Sequence, residues 1–452
     1  MHYNEAWSFL DNLQFFKIKL GLDSMTMFLD ELERPQEGMK FIHIAGTNGK
    51  GSVGVTLLTL LARAGFQVGF YTSPHLNSVR ERFRINDTYI SEEEFAEEAT
   101  RIRDILGGRQ ITYFEFTTAL AMLWFKRKKV DIVILEVGLG GRLDATNVIE
   151  PLIGIITNVT MDHEAYLGNT LEDVASEKGG IVKSGIPVVS GVERNDFDPT
   201  GIAAKVIEDI CHQRGAPLYQ HSRDFYGEEG ENGTWSYWCM KRKDGCCRLR
   251  EKMDNLQCSL KGRYQPKNAA LALAALEILE PHGFSVDDET IRQGLLEVRW
   301  PGRLEFFCLT RDTGKPAACG QEDSVQYLLD GAHNPAGVQS LQQALADDFQ
   351  FKKLILIWGA MVDKDLDATL PKVAPLADSI ILTKQQSDRS ATPEELLNYV
   401  PEEYRTKILN LPDVNAALSK AAEMAGPEDL VCVGGSLYLI GEARGILLGD
   451  AI

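Results

Sequence analysis

The chain lacks any apolar run approaching the ~18 residues needed to cross a bilayer; the best of them, ALAMLWF, stops at Lys126. It also lacks a basic-then-apolar opening, since MHYNEAWSFLDNL carries acids instead, so no secretory leader is expected and a cytoplasmic protein is. Positive charge is in deficit. With 47 Lys and Arg against 65 Asp and Glu, the net charge of −18 repels nucleic acid and anionic membrane alike. It still permits an anionic small substrate in a local basic pocket. The eight cysteines (Cys211, Cys239, Cys246, Cys247, Cys258, Cys308, Cys319 and Cys432) form no regular framework, which leads to an expectation of reduced thiols. No paired C-x-x-C and no nearby H-x-x-x-H exist to support zinc. Repeats of fixed period and low-complexity segments are absent too.

What is present is an ordinary globular composition, 44% hydrophobic and 25% charged, on 452 residues, a length that exceeds one core and predicts two domains. Short apolar strands alternate with helical stretches from Phe41 to about residue 195, which predicts an α/β fold with a mostly parallel sheet. FIHIA, QVGFYT, DIVILEVG and LIGIITNV read as strands. SVGVTLLTLLARAG, SEEEFAEEATRIRDIL with a capping box at Ser91 and Glu94, and FTTALAMLWFKRKK read as helices. From about 195 to 261 the aromatic alternation of TWSYWCM and the Asn-Gly and Asp-Gly turn signals predict a small antiparallel excursion. A second alternating series of about five strands, from VQYLLDGA to DLVCVGGS, predicts a Rossmann-like α/β domain. The domains are placed at 1–298 and 299–452.

Between the first strand and its helix stands GTNGKGS, residues 46–52. It nearly matches the P-loop pattern G-x-x-x-x-G-K-[ST], with Gly51 inserted between Lys50 and Ser52. Strand before and helix after is the context in which backbone N–H groups and a helix N-terminus face a phosphate, so Gly46, Thr47, Asn48, Gly49, Lys50 and Gly51 are candidate ATP-loop residues. Lys50 would lie on the β- and γ-phosphates and Ser52 on a metal. Glu136, at the end of the apolar strand DIVILE, would be costly to bury unless paired, which favours a cation beside it. VGLGGRLD mimics a dinucleotide fingerprint, but Leu143 stands where that fingerprint requires Gly or Ala.

GTNGKGS, with YTSPHL, RERFRIN, YFEFTTALA, LEVGLGGRLDATN, TNVTMDHEAYLG, ASEKGGIVKSG, WPGRLE, LLDGAHNPAG, DKD and GGSLYLIGEAR in this order, resembles the Mur-ligase superfamily, in its folylpolyglutamate synthase and dihydrofolate synthase branch. The resemblance implies a P-loop-type ATPase domain followed by a glutamate-ligase domain, with ATP and Mg²⁺ as cofactors. It implies an ATP-dependent ligase that joins L-glutamate to dihydropteroate and to folates through an acyl phosphate. Ser73, Ser52 and Glu136 are the implied ligands of one magnesium, and His163 with a carbamylated Lys178 serves the second. By themselves, a lone His after a strand is more often a structural hydrogen-bonder and a lone helix Lys is more often solvated.

The same resemblance places Asn268, Arg303 and Asp330 on the nucleotide, and His333 and Ser436 near the incoming glutamate. Arg82, Thr112, Phe114 and Asp144 fall on the acceptor side. Phe114 reads equally well as core packing at a helix start. DGAHNPAG reads equally as a strand-to-helix turn with Asn334 as cap and Pro335 at the first helical position. GGRLDATN resembles the bifunctional form. Two features depart from the pattern: Tyr264 stands where many relatives have His, and TRDTGKPAACGQEDS predicts an enlarged surface loop. A cell-wall ligase acting on a UDP-linked acceptor is the nearest rival, and it would need an N-terminal domain for which the loop at Gly46 leaves no room. A non-catalytic ATP-binding protein is the rival from another class, opposed by the joint presence of Lys50, Glu136, His163 and Lys178. A monomer is expected from the family.

Overall fold

The computed structural model describes residues 1–13, 21–239 and 252–449. Cys246, Cys247 and the Asp244-Gly245 turn signal lie outside the described residues. The chain divides into two compact units, one of residues 1–74, 79–259 and 265–298, the other of residues 75–78, 260–264 and 299–452.

The first unit is built on β1 (Phe41–Ala45), β2 (Val68–Tyr71), β3 (Phe83–Ile85), β4 (Thr88–Tyr89), β5 (Ile132–Glu136), β6 (Ile153–Ile156), β7 (Val188–Ser190) and β8 (Leu218–Gln220). They form one sheet in the order β4-β3-β2-β5-β1-β6-β7-β8, in which only β3 runs against the others, pairing antiparallel with both β2 and β4. FIHIA, IVILE and IGII are buried at every position because helices cover both faces, which is why they read as unbroken apolar runs rather than alternating ones. β1 sits between β5 and β6 with Ile44 opposite Glu136 and Ala45 opposite Ile156. That register brings the ends of three strands to one edge, where open α/β sheets hold ligands.

Helix starts follow local chemistry. Ser91 and Glu94 form the expected capping box of helix Glu92–Leu106, and Thr112 with Glu115 forms a second on helix Tyr113–Lys128. The antiparallel excursion begins later than the sequence suggested. Residues 202–213 form a helix that feeds β8 into the parallel sheet, and the small sheet comprises β9 (Phe225–Glu229), β10 (Trp235–Cys239) and β11 (Met253–Leu256). The helix shows an apolar stripe at Ala203, Ile207 and Cys211, a 3.6-residue period that the turn-rich composition around it obscures.

The second unit carries β12 (Glu305–Thr310), β13 (Ser324–Leu329), β14 (Leu354–Trp358), β15 (Ser379–Leu382), β16 (Ile408–Asn410) and β17 (Leu430–Gly434), in the order β12-β13-β17-β14-β15-β16. Five strands are parallel, as expected. The sixth, β12, is an antiparallel edge that pairs with β13 from Glu305 opposite Leu329 to Thr310 opposite Ser324. The residues between them are mostly exposed, in keeping with the expected surface loop, but Cys308 and Cys319 are joined in a disulfide there. The expectation of reduced thiols is corrected at this pair: antiparallel β12 and its return bring the two Cα atoms to 5.4 Å, a proximity that spacing alone does not reveal. Among the described residues no helix is long and apolar enough to cross a membrane.

Candidate active site

In the first unit the glycine loop leaves β1 and is gripped by the segment that follows β6. Thr47 donates its backbone N–H to Asn158 O (3.1 Å) and its hydroxyl to Thr160 O (3.0 Å), while Asn48 N donates to Asn158 Oδ1 (2.8 Å). Thr157 completes the grip by donating its hydroxyl to Asn48 O at 2.6 Å. Two glycines are required by shape. Gly46 has φ +149° and any Cβ there would meet Thr157 Oγ1 at 1.9 Å; Gly49, the N-cap of helix Lys50–Arg63, has φ +84° and would meet Asn268 Oδ1 at 2.7 Å. Asn268 therefore stands directly against the loop, and Gln265 links it onward, accepting from Asn268 Nδ2 (3.1 Å) and donating to Ser52 Oγ (3.5 Å). Lys50 Nζ folds back on its own loop, donating to Gly46 O (3.0 Å) and Thr47 O (3.2 Å). The inserted Gly51 is the second residue of that helix.

Glu136 ends β5 buried, receiving the Thr72 hydroxyl and, at 3.3 Å, the Ser73 backbone N–H. Ser73 and Glu136 are thus neighbours, as the sequence implied. Lys178 is 4% exposed. Burial, then the like charge of Lys50, push its amine down to about 7, and Asp162 opposes them. Lys50, Lys178 and Asp162 therefore share one neighbourhood. His163 differs: it starts the short helix Glu164–Leu167 at φ +53°, exposed, with Nε2 3.9 Å from Asp162 Oδ1.

The loop after β5 is organised by Asp144. Its Oδ2 accepts from Gly138 N (3.0 Å) and Leu139 N (2.9 Å), and its Oδ1 from Thr146 N (3.0 Å) and Thr146 Oγ1 (2.5 Å). Both oxygens are thereby engaged within the loop. Burial raises its pKa and those bonds oppose the rise. Phe114 packs on this loop, since a methyl group at Gly138 would lie 2.5 Å from its ring. Its ring also meets Tyr71 at 5.8 Å. Arg82 is buried with its guanidinium 5.2 Å from the Tyr113 ring centroid. The Thr112 hydroxyl accepts from Glu115 N at 3.1 Å, so the helix cap occupies it.

In the second unit the sequence-derived residues gather at the ends of β13 and β17. Asp330 is buried and accepts from Leu304 N and Ala332 N, each at 2.9 Å. Burial raises its pKa against the pull of Arg303, which places Arg303 beside it; the Tyr264 phenol is raised by burial and by Asp330. His333 Nδ1 lies 2.7 Å from Gly331 O and donates to it. Asn334 caps helix Pro335–Asp347 through Gly337 N (2.8 Å), and Ser436 caps helix Leu437–Leu448 through Tyr438 N (3.2 Å).

Comparison with known families and structures identifies the family. The Mur ligase middle domain matches residues 44–276 and the Mur ligase glutamate ligase domain residues 318–437. The dihydrofolate synthase/folylpolyglutamate synthase of Bacillus subtilis is 32% identical over 451 residues, covering 98% of both chains. The chain belongs to the dihydrofolate synthase/folylpolyglutamate synthase family of Mur ligases. The Escherichia coli enzyme of that name is 30% identical over 443 residues, 98% of this chain and 95% of its own. The chain spans about half of a longer relative, the probable bifunctional folylpolyglutamate synthase/dihydropteroate synthase of Haloferax volcanii, with 33% identity over 454 residues. Among solved structures, E. coli FolC in complex with DHPP and ADP superposes with a TM-score of 0.83 at 29% identity, covering 99% of this chain and 98% of its own. The Yersinia pestis bifunctional folylpolyglutamate synthase/dihydrofolate synthase complexed with AMPPNP and Mn ion gives 0.83 at 30%, with the same coverage.

Within this dihydrofolate synthase/folylpolyglutamate synthase fold, several contributors escaped sequence reasoning. Thr157, Asn158 and Thr160 were visible only as TNVT after a strand, and their part depends on β6 lying beside β1. Asp162 was overshadowed by its neighbour His163. Gln265, which donates to Ser52 Oγ, drew no assignment of its own. In the second unit Gln385, 1% exposed and donating to Ser436 Oγ at 3.4 Å, carries no motif at all. Among the described residues no three His, Cys, Asp or Glu side chains cluster as a metal cage. The oxygens present, the Glu136 carboxylate with the hydroxyls of Ser73 and Ser52, still fit magnesium, which takes one or two carboxylates and completes its shell with water and phosphate.

Proposed function

We propose that the protein is an ATP-dependent carboxylate–amine ligase that adds L-glutamate to dihydropteroate, giving dihydrofolate, and to folate mono- and polyglutamates. The observation that carries this reading is the glycine loop GTNGKGS, pinned to the β6 segment and flanked by buried Glu136 and Lys178, in a chain aligned end to end with dihydrofolate synthase/folylpolyglutamate synthases. A carboxylate is a poor electrophile. Transfer of the ATP γ-phosphoryl group to the acceptor carboxylate gives an acyl phosphate and ADP, and the glutamate amine then displaces phosphate, losing a proton as the amide forms.

In this reading the backbone N–H groups of the loop hold the phosphates and Lys50 turns from its loop carbonyls to the transferring group. Glu136, Ser73 and Ser52 would hold Mg²⁺, which supplies charge neutralisation to the phosphoryl oxygens. Lys178, with its pKa pushed down to about 7 so that much of it is unprotonated at pH 7, is suited to react with CO₂: its nitrogen lone pair bonds the carbon, one proton leaves, and the resulting carbamate would supply oxygens to a second ion beside Asp162 and His163. Phe114, Arg82 and the loop shaped by Asp144 take the acceptor, Asn268, Arg303 and Asp330 the nucleotide, and His333 and Ser436 the glutamate. Purified protein supplied with ATP, Mg²⁺ and glutamate should release ADP and phosphate and form product with dihydropteroate and also with a reduced folate monoglutamate. Product from the folate alone would refute the dihydropteroate assignment; no product from either would refute the ligase assignment.

A further inference from the structure

His43 stands in the middle of β1, fully buried between Ile42 and Ile44. Its Nδ1 meets no hydrogen-bond partner among the described residues, while Nε2 lies 2.9 Å from Thr146 Oγ1. Packing alone gives no reason for an imidazole here, because leucine would fill the space without burying an unpaired nitrogen. The bond to Thr146 has a definite direction. Three backbone N–H groups and the Thr146 hydroxyl converge on the Asp144 carboxylate, which therefore accepts from all four. The Thr146 hydroxyl has one proton and gives it to Asp144, so its lone pair must take the proton on His43 Nε2. Burial and the charge of Lys183 push the His43 pKa down to about 3, so the ring is neutral and Nδ1 is bare.

We infer that His43 is a positioning residue for the acceptor-binding loop: Nε2–H orients the Thr146 hydroxyl, which orients the Asp144 carboxylate, which fixes the backbone of Gly138 and Leu139 beneath Phe114. Three residues beyond His43 the same strand becomes the phosphate loop at Gly46. One buried imidazole thus ties the segment that shapes the acceptor site to the strand that carries the phosphate site. The inference rests on the proposed reading that this loop receives the acceptor.

The test uses the full chain with steady-state kinetics for dihydropteroate and for ATP. His43→Gln carries an amide N–H near the position of Nε2; His43→Asn carries its amide nearer the position of Nδ1 and falls short of Thr146; His43→Leu has none. The Asn and Leu variants should raise KM for dihydropteroate about tenfold while KM for ATP stays within about twofold, and Gln should restore most of the loss. Adding Thr146→Val to His43→Leu should raise that KM little further, because both remove the same link. Equal changes in both KM values, no change with Asn and Leu, or no rescue by Gln would overturn the relay. An Asp144→Ala variant separates the two layers: if it too leaves the dihydropteroate KM unchanged, the loop assignment fails; if it alone raises KM, the loop assignment stands and the relay fails. Independently of any variant's folding, ¹⁵N NMR of histidine-labelled protein should show one ring protonated at Nε2 only from pH 5 to 8, and its absence would overturn the assignment of direction.

Discussion

Replacing Lys178 by methionine should make the unliganded protein more stable and inactive at once. The Lys178 amine is driven from its ordinary 10.5 to about 7 by burial and by Lys50. The unfolded chain therefore holds a proton between pH 7 and 10.5 that the folded chain releases, and stability contributed by this residue rises with pH across that window. At 1.36 kcal/mol per tenfold, the burial of Lys178 costs about 4 kcal/mol at pH 7, falling to about a third of that by pH 9.5. Local relaxation around an amine absorbs part of this, so Lys178→Met should gain ~2 kcal/mol at pH 7 and less at pH 9.5. The assay is urea denaturation of both proteins at the two pH values in bicarbonate-free buffer, where the amine stays unmodified, paired with ligation assays in bicarbonate. Ligation should fall by at least about 100-fold, as for loss of a group that stabilises a transferring phosphoryl. A variant less stable than wild type at pH 7, or a gain that fails to shrink at pH 9.5, would refute the electrostatic argument; full activity would refute the site assignment.

Lys50→Ala should abolish ligation yet change stability by less than ~1 kcal/mol, since the bonds of its Nζ to Gly46 O and Thr47 O are local ones within the loop; turnover at the wild-type rate would remove the nucleotide reading. Gly46→Ala should destabilise the first unit by ~2 kcal/mol or more, because its Cβ would stand 1.9 Å from Thr157 Oγ1 at φ +149°, and an unchanged thermal midpoint would contradict the loop geometry. Glu136→Gln should raise the Mg²⁺ concentration for half-maximal activity about tenfold or more, read by metal titration; an unaltered metal curve would place the ion elsewhere.

Much of this is legible in the sequence itself. Unbroken apolar runs such as IVILE announced a sheet covered on both faces, and the order of turns and helices gave the two α/β units, because period and capping are local properties of the chain. β12 was not legible: Phe306 is 40% exposed and Cys308 buried in an edge strand whose partner lies beyond a long connection, so no clean alternation marks it. The glycine loop could be recognised, but its clamp could not, since Thr157 and Asn158 act across a gap of about 110 residues that closes only when β6 docks on β1. Helix Ile202–Gln213 was missed for the opposite reason, a local stripe set among turn residues that suggested another fold.

The charged residues show most clearly what geometry adds. The resemblance assigned Glu136 and Lys178 to magnesium and Asp144 to the acceptor, without showing how each charge is accommodated. Buried charge is tolerated only when something answers it, and the three are answered differently. Asp144 is satisfied from within, by three backbone N–H groups and one hydroxyl, and so has little left to offer a substrate. Its effect on an acceptor must pass through the backbone it holds. Glu136 receives one hydroxyl and one long N–H bond on a single oxygen, which suits a carboxylate that also serves a cation. Lys178 is answered by a pKa pushed down to about 7, with like-charged Lys50 beside it, which supports the covalent modification proposed for it rather than an ion pair. The way each charge is accommodated, which no single sequence displays, separates the residue that shapes a loop from the two proposed for chemistry.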